Sequence, residues 1–269
     1  MARSREHCRH ERKLKDAMTV RANDTTDLAT FAIIIPAWNE SEFIEKSIHS
    51  ANAAIKQCRY TGRVIVVDNN STDDTASKAA HAGAEVVFEP INQIARARNT
   101  GARAANTDWL VFLDADTTLN PTLLNESLSV LDSGKVIGGG SVIELDREVR
   151  GAAKLSLTAW NWWSRFLSLA AGCYIYCDRN AFETVGGFDE TRYVAEELFL
   201  SAKLKKLAKT RGQRFVVQTL APVVSSARKL DWYSKKQMIW QVLLLMIPSS
   251  TKSKKSCAVW YGRDNIKKP

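Results

Sequence analysis

Apolar residues fall in short unbroken runs along the first half of the chain, each closed by a polar cluster and followed by a stretch of helical spacing. FAIIIPAWNE opens with a run ending at Pro36, and SEFIEKSIHSANAAIKQ follows with Phe43, Ile44, Ile48 and Ile55 near the 3.6-residue period. RVIVVD is a second strand, ending at Asp68; DNNSTDDT then favours a turn, with Asp68 and Asp73 as candidate caps for the helix ASKAAHAGA. EVVFEP is a third strand, NQIARARNTGARAA a helix, and WLVFLDAD a fourth strand. Continuous apolar strands alternating with helices predict an α/β fold, a mostly parallel sheet sandwiched between helices. Such sheets bind ligands beyond the carboxyl ends of their strands. Residues 36–40, 68–70 and 114–116 all fall there, so three segments are expected to line one cleft.

Within LVFLDADTTL, Asp114 and Asp116 end the fourth apolar run with only Ala115 between them. Two carboxylates this close repel unless a cation neutralises them, and oxygen ligands beside phosphate favour Mg2+ or Mn2+. A solvated turn remains the plain alternative, as a solvated helix face does for Arg96, Arg98 and Arg103. Neither G-x-G-x-x-G nor G-x-x-x-x-G-K-[ST] follows a strand, and the glycines at 138–140 precede a strand-like SVIEL. A metal holding two phosphates, with arginines as auxiliary donors, would replace a glycine loop.

Composition changes this picture in few places. A chain of 269 residues with 45% hydrophobic and 25% charged residues is globular, and its net charge of +9 points to an anionic partner. No recognition motif with base-stacking aromatics supports nucleic acid. Five scattered cysteines fit reduced cytosolic thiols, and Cys173 and Cys177 lie in an expected strand. Residues 1–28 are dense in charge and read as a mobile or helical extension; His7, Cys8 and His10 there lack a second ligand arm for a metal. No apolar run approaches the ~20 residues needed to span a bilayer, so the expected location is cytoplasmic. Trp160, Trp162 and Trp163 read first as core and second as a platform for a sugar or lipid acceptor. WYSKKQMIWQVLLLMI followed by KSKK reads first as a buried helix and second as an interfacial one, at the inner face of an anionic membrane.

Taken in order, IIIPAWNE, VIVVDNNSTDDT, ARARNTG, WLVFLDADT and GGFDE followed by EELFLSAKLKK resemble the inverting family 2 glycosyltransferases of the GT-A fold, over residues 31–228. The resemblance implies that a nucleoside-diphosphate sugar, a UDP-sugar first and a GDP-sugar second, binds across the first half. Mn2+ or Mg2+ at the Asp-x-Asp segment would hold the diphosphate, with Asp116 the main ligand, Asp114 facing the ribose or sugar, and Ala115 between them. Pro36, Ala37 and Glu40 would border the nucleoside, Asp68 would accept a hydrogen bond from the base with Asn70 nearby, and Arg98 and Asn99 would lie beside the nucleotide. Gln93 stands where many members carry glycine. Of the acids following GGFDE, Glu197 takes the position of the catalytic base, a glutamate for the usual aspartate, with Glu196 the alternative; Arg228 would hold diphosphate.

The expected organisation is an extension at 1–28, a GT-A domain at 29–230 with a nucleotide-sugar half (29–120) and an acceptor half (121–230), and a basic, aromatic helical segment at 231–269. The acceptor is expected to be a saccharide or lipid-linked. Two rivals remain: a sugar-phosphate nucleotidyltransferase, which PAWNE at the first strand end argues against, and a non-catalytic nucleotide-sugar-binding scaffold, which Asp114, Asp116 and Glu197 argue against.

Overall fold

The structure, a computed structural model, describes residues 29–167, 170–232 and 250–252. The expectations for the extension at 1–28 and for an interfacial helix beyond Trp232 lie outside the described residues.

Strands β1 (Thr30–Ala37), β2 (Thr61–Asp68), β3 (Glu85–Phe88) and β4 (Trp109–Leu113) form where the apolar runs predicted them. Along β1, Phe31, Ile33 and Ile35 enter one core while Ala32 and Ile34 enter another; Val64 and Val66 against Ile65 and Val67 repeat this along β2. Runs without polar alternation are thus what a sheet buried on both faces requires. Helix α1 (Ile44–Lys56) covers the first face, where Ile44 and Ile48 are fully buried. Helix α2 (Thr75–His81) follows β2, and α3 (Ile94–Ala105) covers the opposite face through Ala95, Ala97, Ala102 and Ala105. Small residues on α3 let its backbone approach the sheet: a Cβ at Gly101 would collide with the Ile34 side chain.

A two-residue β5 (Thr117–Thr118) leads to α4 (Pro121–Asp132), whose start is set by Pro121 at its first position and by the Asn120 side chain accepting from Thr122 N at 2.8 Å. Strand β6 (Val136–Leu145), helix α5 (Ala152–Leu167), strand β7 (Tyr174–Asp178), helices α6 (Arg179–Thr184) and α7 (Glu196–Arg211), strand β8 (Arg214–Ser225) and the short α8 (Lys229–Trp232) complete the order. The eight strands run β3-β2-β1-β4-β7-β6-β8-β5. The first four are parallel, β7 is antiparallel to both β4 and β6, β8 is parallel to β6, and β5 pairs antiparallel with β8.

The triple glycine lies inside β6 and does not precede it. A Cβ at Gly139 would run into the Val216 carbonyl on β8, and one at Gly138 into the Tyr176 carbonyl on β7, so this strand fits between its neighbours only without side chains there. Capping after β2 also differs from expectation. Asp74, not Asp73, precedes α2; Asp73 accepts from Thr75 N at 3.0 Å and Ser41 N at 3.3 Å, tying this turn to the one after β1. Asp68 accepts from Ser71 N at 3.1 Å within its own turn. Among the described residues no helix is long and apolar enough to cross a membrane.

Candidate active site

Register places the functional segments side by side. Ala37 at the end of β1 pairs with Asp68 at the end of β2, and Leu113, the residue before Asp114, pairs with Tyr174. The strand ends open into a cleft of about 220 Å³ walled by Pro36, Ala37, Glu40, Arg98, Asp114, Ala115, Asp116, Glu196, Glu197 and Arg228, ten of the residues expected from sequence. Asp68, Asn70 and Asn99 are not on its wall. Asn70 sits exposed in the turn with φ 63°, while its neighbour Asn69 lines the cleft. Asn99 instead fastens the turn at Gly187: its side-chain amide donates to Phe188 O at 3.0 Å and to Glu190 Oε1 at 2.9 Å, and its oxygen accepts from Phe188 N at 3.0 Å.

Arg98 is no solvated helix residue. It is 1% exposed, and its guanidinium donates to Glu196 Oε1 at 2.6 Å, to Asp114 Oδ1 at 2.9 Å and to Gly172 O at 2.7 Å. One cation thereby joins the end of β4 to the start of α7. Glu197 stands beside it: a Cβ built on Gly172 would touch both Arg98 Nη2 and Glu197 Cδ at 3.5 Å. Burial pushes Glu196, 3% exposed, up to about 8, with the charge of Glu197 adding to the rise and Arg98 opposing it. Desolvation favours the neutral form of an acid buried this deeply, so Glu196 holds its proton more tightly than an exposed glutamate does. Arg98 itself is held above the ordinary arginine range by Asp114 and Glu196, against its desolvation. Arg96 is also engaged, with Glu89 at 3.2 Å and Glu190 at 2.9 Å.

Arg228 forms a second centre across the cleft. Its guanidinium pairs with Glu40 at 2.7 Å and Asp116 Oδ2 at 2.9 Å, and its flat faces meet the rings of Phe43 at 4.4 Å and Trp232 at 4.9 Å. Glu40 is fixed in turn by its backbone N–H, which donates to Thr75 Oγ1 at 2.8 Å. Among the described residues no group of three or more His, Cys, Asp or Glu side chains could hold a metal ion. The donor set is nevertheless of the right kind. Asp116 Oδ1 has only a 3.4 Å contact with the Thr117 hydroxyl, and Asp114 is the second carboxylate. Mg2+-like ions are commonly held by one or two carboxylates plus the phosphates of a substrate, which is the fit these residues offer.

The cleft also contains Trp38 and Asn69, from the expected segments 36–40 and 68–70, and residues outside any expected segment: Asn92, Gly172, Tyr193, Val194 and Ala195. Asn69 carried a signal, being part of the turn at the end of β2. Its amide donates to Glu89 O at 3.1 Å and Ile91 O at 2.6 Å, and its oxygen accepts from Gln93 N at 2.8 Å. Tyr193 to Ala195 had none, because a loop reaching back from the second half is invisible to local pattern. Ala195 adopts φ 62° immediately before α7, a left-handed turn that sends the helix start toward the cleft. Among the tryptophans, Trp160 lines the cleft, whereas Trp162 is exposed and stacks on Phe166 at 5.4 Å.

The chain is similar to known glycosyltransferases. The chain is 40% identical over 102 residues to an uncharacterized glycosyltransferase of Mycobacterium tuberculosis (38% of this chain, 44% of the relative). It is 28% identical over 228 residues to the pre-mycofactocin glycosyltransferase of that organism (76% of this chain, 44% of the relative). The chain thus spans less than half the length of these relatives. Among solved structures, a mannosyltransferase from Pyrobaculum calidifontis in complex with GDP-Man and Mn2+ superposes with a TM-score of 0.58 at 19% identity, covering 81% of this chain and 61% of that one. Glucosyl-3-phosphoglycerate synthase from Mycobacterium tuberculosis, in complex with Mn2+, uridine diphosphate and phosphoglyceric acid, gives 0.55 at 21% identity, covering 82% and 78%. These likenesses establish the GT-A fold. The model of glycosyl transferase family 2 matches residues 32–186, more than half of the chain, and the protein belongs to that family.

Proposed function

We propose that the protein transfers a sugar from a nucleoside-diphosphate sugar to an acceptor hydroxyl with inversion, in a reaction that depends on Mn2+ or Mg2+. The observation carrying this reading is the convergence of Asp114, Asp116 and Glu197, from opposite halves of the chain, on one cleft at the carboxyl edge of the sheet. The solved relatives holding GDP-Man or uridine diphosphate with Mn2+ support a donor of that class; a UDP-sugar is our first choice and a GDP-sugar the second.

In this account Pro36, Ala37 and Glu40 border the nucleoside, joined by Asn69 from the end of β2. Asp116 and Asp114 would hold the divalent ion beside the diphosphate. When bound there, Mn2+ or Mg2+ supplies the positive charge that a departing diphosphate requires. Arg228, already beside Asp116, adds a second cation on the same side. Glu197 accepts the proton of the acceptor hydroxyl as the oxygen attacks the anomeric carbon from the face opposite the diphosphate, so the configuration inverts. Glu196 serves less well as base because its carboxylate is committed to Arg98 at 2.6 Å and is buried. The acceptor is a saccharide or a lipid-linked sugar.

General-base catalysis is typically worth ~10²–10⁴-fold. Glu197→Gln is therefore expected to bind donor normally and lose turnover by that factor, with the wild type giving a product of inverted anomeric configuration by NMR. Normal turnover by Glu197→Gln, or retention of configuration, would overturn the assignment.

A further inference from the structure

The loop that delivers Glu196 and Glu197 to the cleft is gripped by residues far from it in sequence. On one side stands Gln93, 3% exposed, at the N-terminus of α3. Its side-chain amide donates two hydrogen bonds, to Glu190 O at 2.7 Å and Arg192 O at 2.8 Å. Its backbone N–H meanwhile donates to the Asn69 side chain at 2.8 Å, and Asn69 itself lines the cleft. On the other side the 3-10 turn Ser250–Lys252 reaches in: Tyr193 N donates to Thr251 O at 2.7 Å and Arg192 Nη1 to Thr251 Oγ1 at 2.6 Å, with Thr251 1% exposed. Arg192 is fixed further by Asp189 at 3.0 Å and by its stacking 3.5 Å over the Phe199 ring on α7. Two sets of contacts thus clamp residues 190–193, immediately before the wall residues Val194 and Ala195 and the two glutamates.

We infer that Gln93 is a positioning residue: its amide couples the nucleotide-side wall, through Asn69, to the loop that aims the catalytic base. The inference rests on the proposed function for its kinetic part and on the geometry alone for its structural part. Only a side chain offering two N–H groups can serve both carbonyls at once. Glutamate, of nearly the same shape, would present oxygens to oxygens and fail, while alanine would leave both carbonyls without this donor. A displacement of about 1 Å at a reacting group is able to cost ~10²-fold in rate.

The test compares wild type with Gln93→Ala and Gln93→Glu by hydrogen exchange on the full chain without ligand, together with kcat and donor dissociation constant for whichever nucleoside-diphosphate sugar the wild type uses. Faster exchange is expected in peptides covering residues 190–199 of both variants, with β1, β2 and β4 unchanged. The expected kinetic result is a fall in kcat of ~10–10²-fold with donor affinity kept. Thr251→Val checks the opposite clamp and is expected to loosen the same peptides. Unchanged exchange at 190–199 in both Gln93 variants would refute the clamp, and donor affinity falling in parallel with kcat would refute its role toward the base. A wild type inactive with every donor would contradict the proposed function, while exchange would still decide whether Gln93 holds the loop.

Discussion

Replacing Arg98 with methionine removes the guanidinium that bridges Asp114, at the end of β4, and the buried Glu196, at the start of α7. The side chain is 1% exposed, and its loss deprives Glu196 and Asp114 of their 2.6 and 2.9 Å bonds and Gly172 O of a donor. Where Glu196 is ionised, breaking this buried ion pair by removing one partner costs ~3–5 kcal/mol, because the remaining charge stays buried without compensation. For a domain of this size that is a fall in Tm of ~6–20 °C. The loss carries a sign in pH. Without Arg98, which opposes the rise, the folded-state pKa of Glu196 moves further above its unfolded value, so protonation favours the folded state more strongly and the penalty shrinks as pH falls. Urea unfolding followed by circular dichroism at pH 8 and pH 5.5 is the assay, with the larger destabilisation expected at pH 8. Arg98→Lys keeps the charge but not the fork that reaches three acceptors, and is expected to fall between the two. A loss under ~1 kcal/mol, or one equal at both pH values, would refute the central role given to this guanidinium.

Three further expectations follow from the same geometry. The Glu196 pKa is about 8 in the folded protein against an ordinary 4.5, so its contribution to stability is fully present below pH 4.5 and is lost as pH rises through about 8; Glu196→Gln should flatten that part of the stability-pH curve, and an unchanged curve would contradict the pKa. Gly139→Ala places a Cβ against the Val216 carbonyl and the Tyr176 hydroxyl, and is expected to lower stability by more than ~3 kcal/mol in thermal unfolding; a change below ~1 kcal/mol would show that β6 and β8 separate easily. Arg228→Lys gives up stacking between Phe43 and Trp232 along with one planar fork, a loss of ~1–2 kcal/mol by chemical denaturation, whereas no loss would mean that these contacts are energetically idle.

Much of the first half was legible because its strands are buried on both faces and its helices follow at once: β1 to β4 and α1 to α3 coincide with the runs that predicted them. Asp114 and Asp116 were legible for the same reason, as costly carboxylates at the end of an apolar strand. What the pattern concealed was set by contacts distant in sequence. Arg98 read as a nucleotide-side residue or a solvated helix arginine, and its buried bridge to Gly172 and Glu196 was not legible because those partners lie more than seventy residues away. The glycines at 138–140 read as preceding a strand because nothing local announces that β7 and β8 press on both edges of β6 at those positions. Asn99 read with Arg98 as nucleotide-side, yet on α3 neighbouring positions point differently, and its amide meets the loop after α6 instead.

The central claim is that the cleft takes a nucleoside diphosphate together with a divalent ion at Asp116. Thermal unfolding across UDP, GDP and their sugars, with and without Mn2+, on wild type and Asp116→Asn tests it most directly. A ligand at ~100 times its dissociation constant adds ~2.7 kcal/mol of stability. The account predicts stabilisation by one nucleotide class that requires Mn2+ and disappears in Asp116→Asn; equal stabilisation with or without the ion, or in the variant, would contradict it.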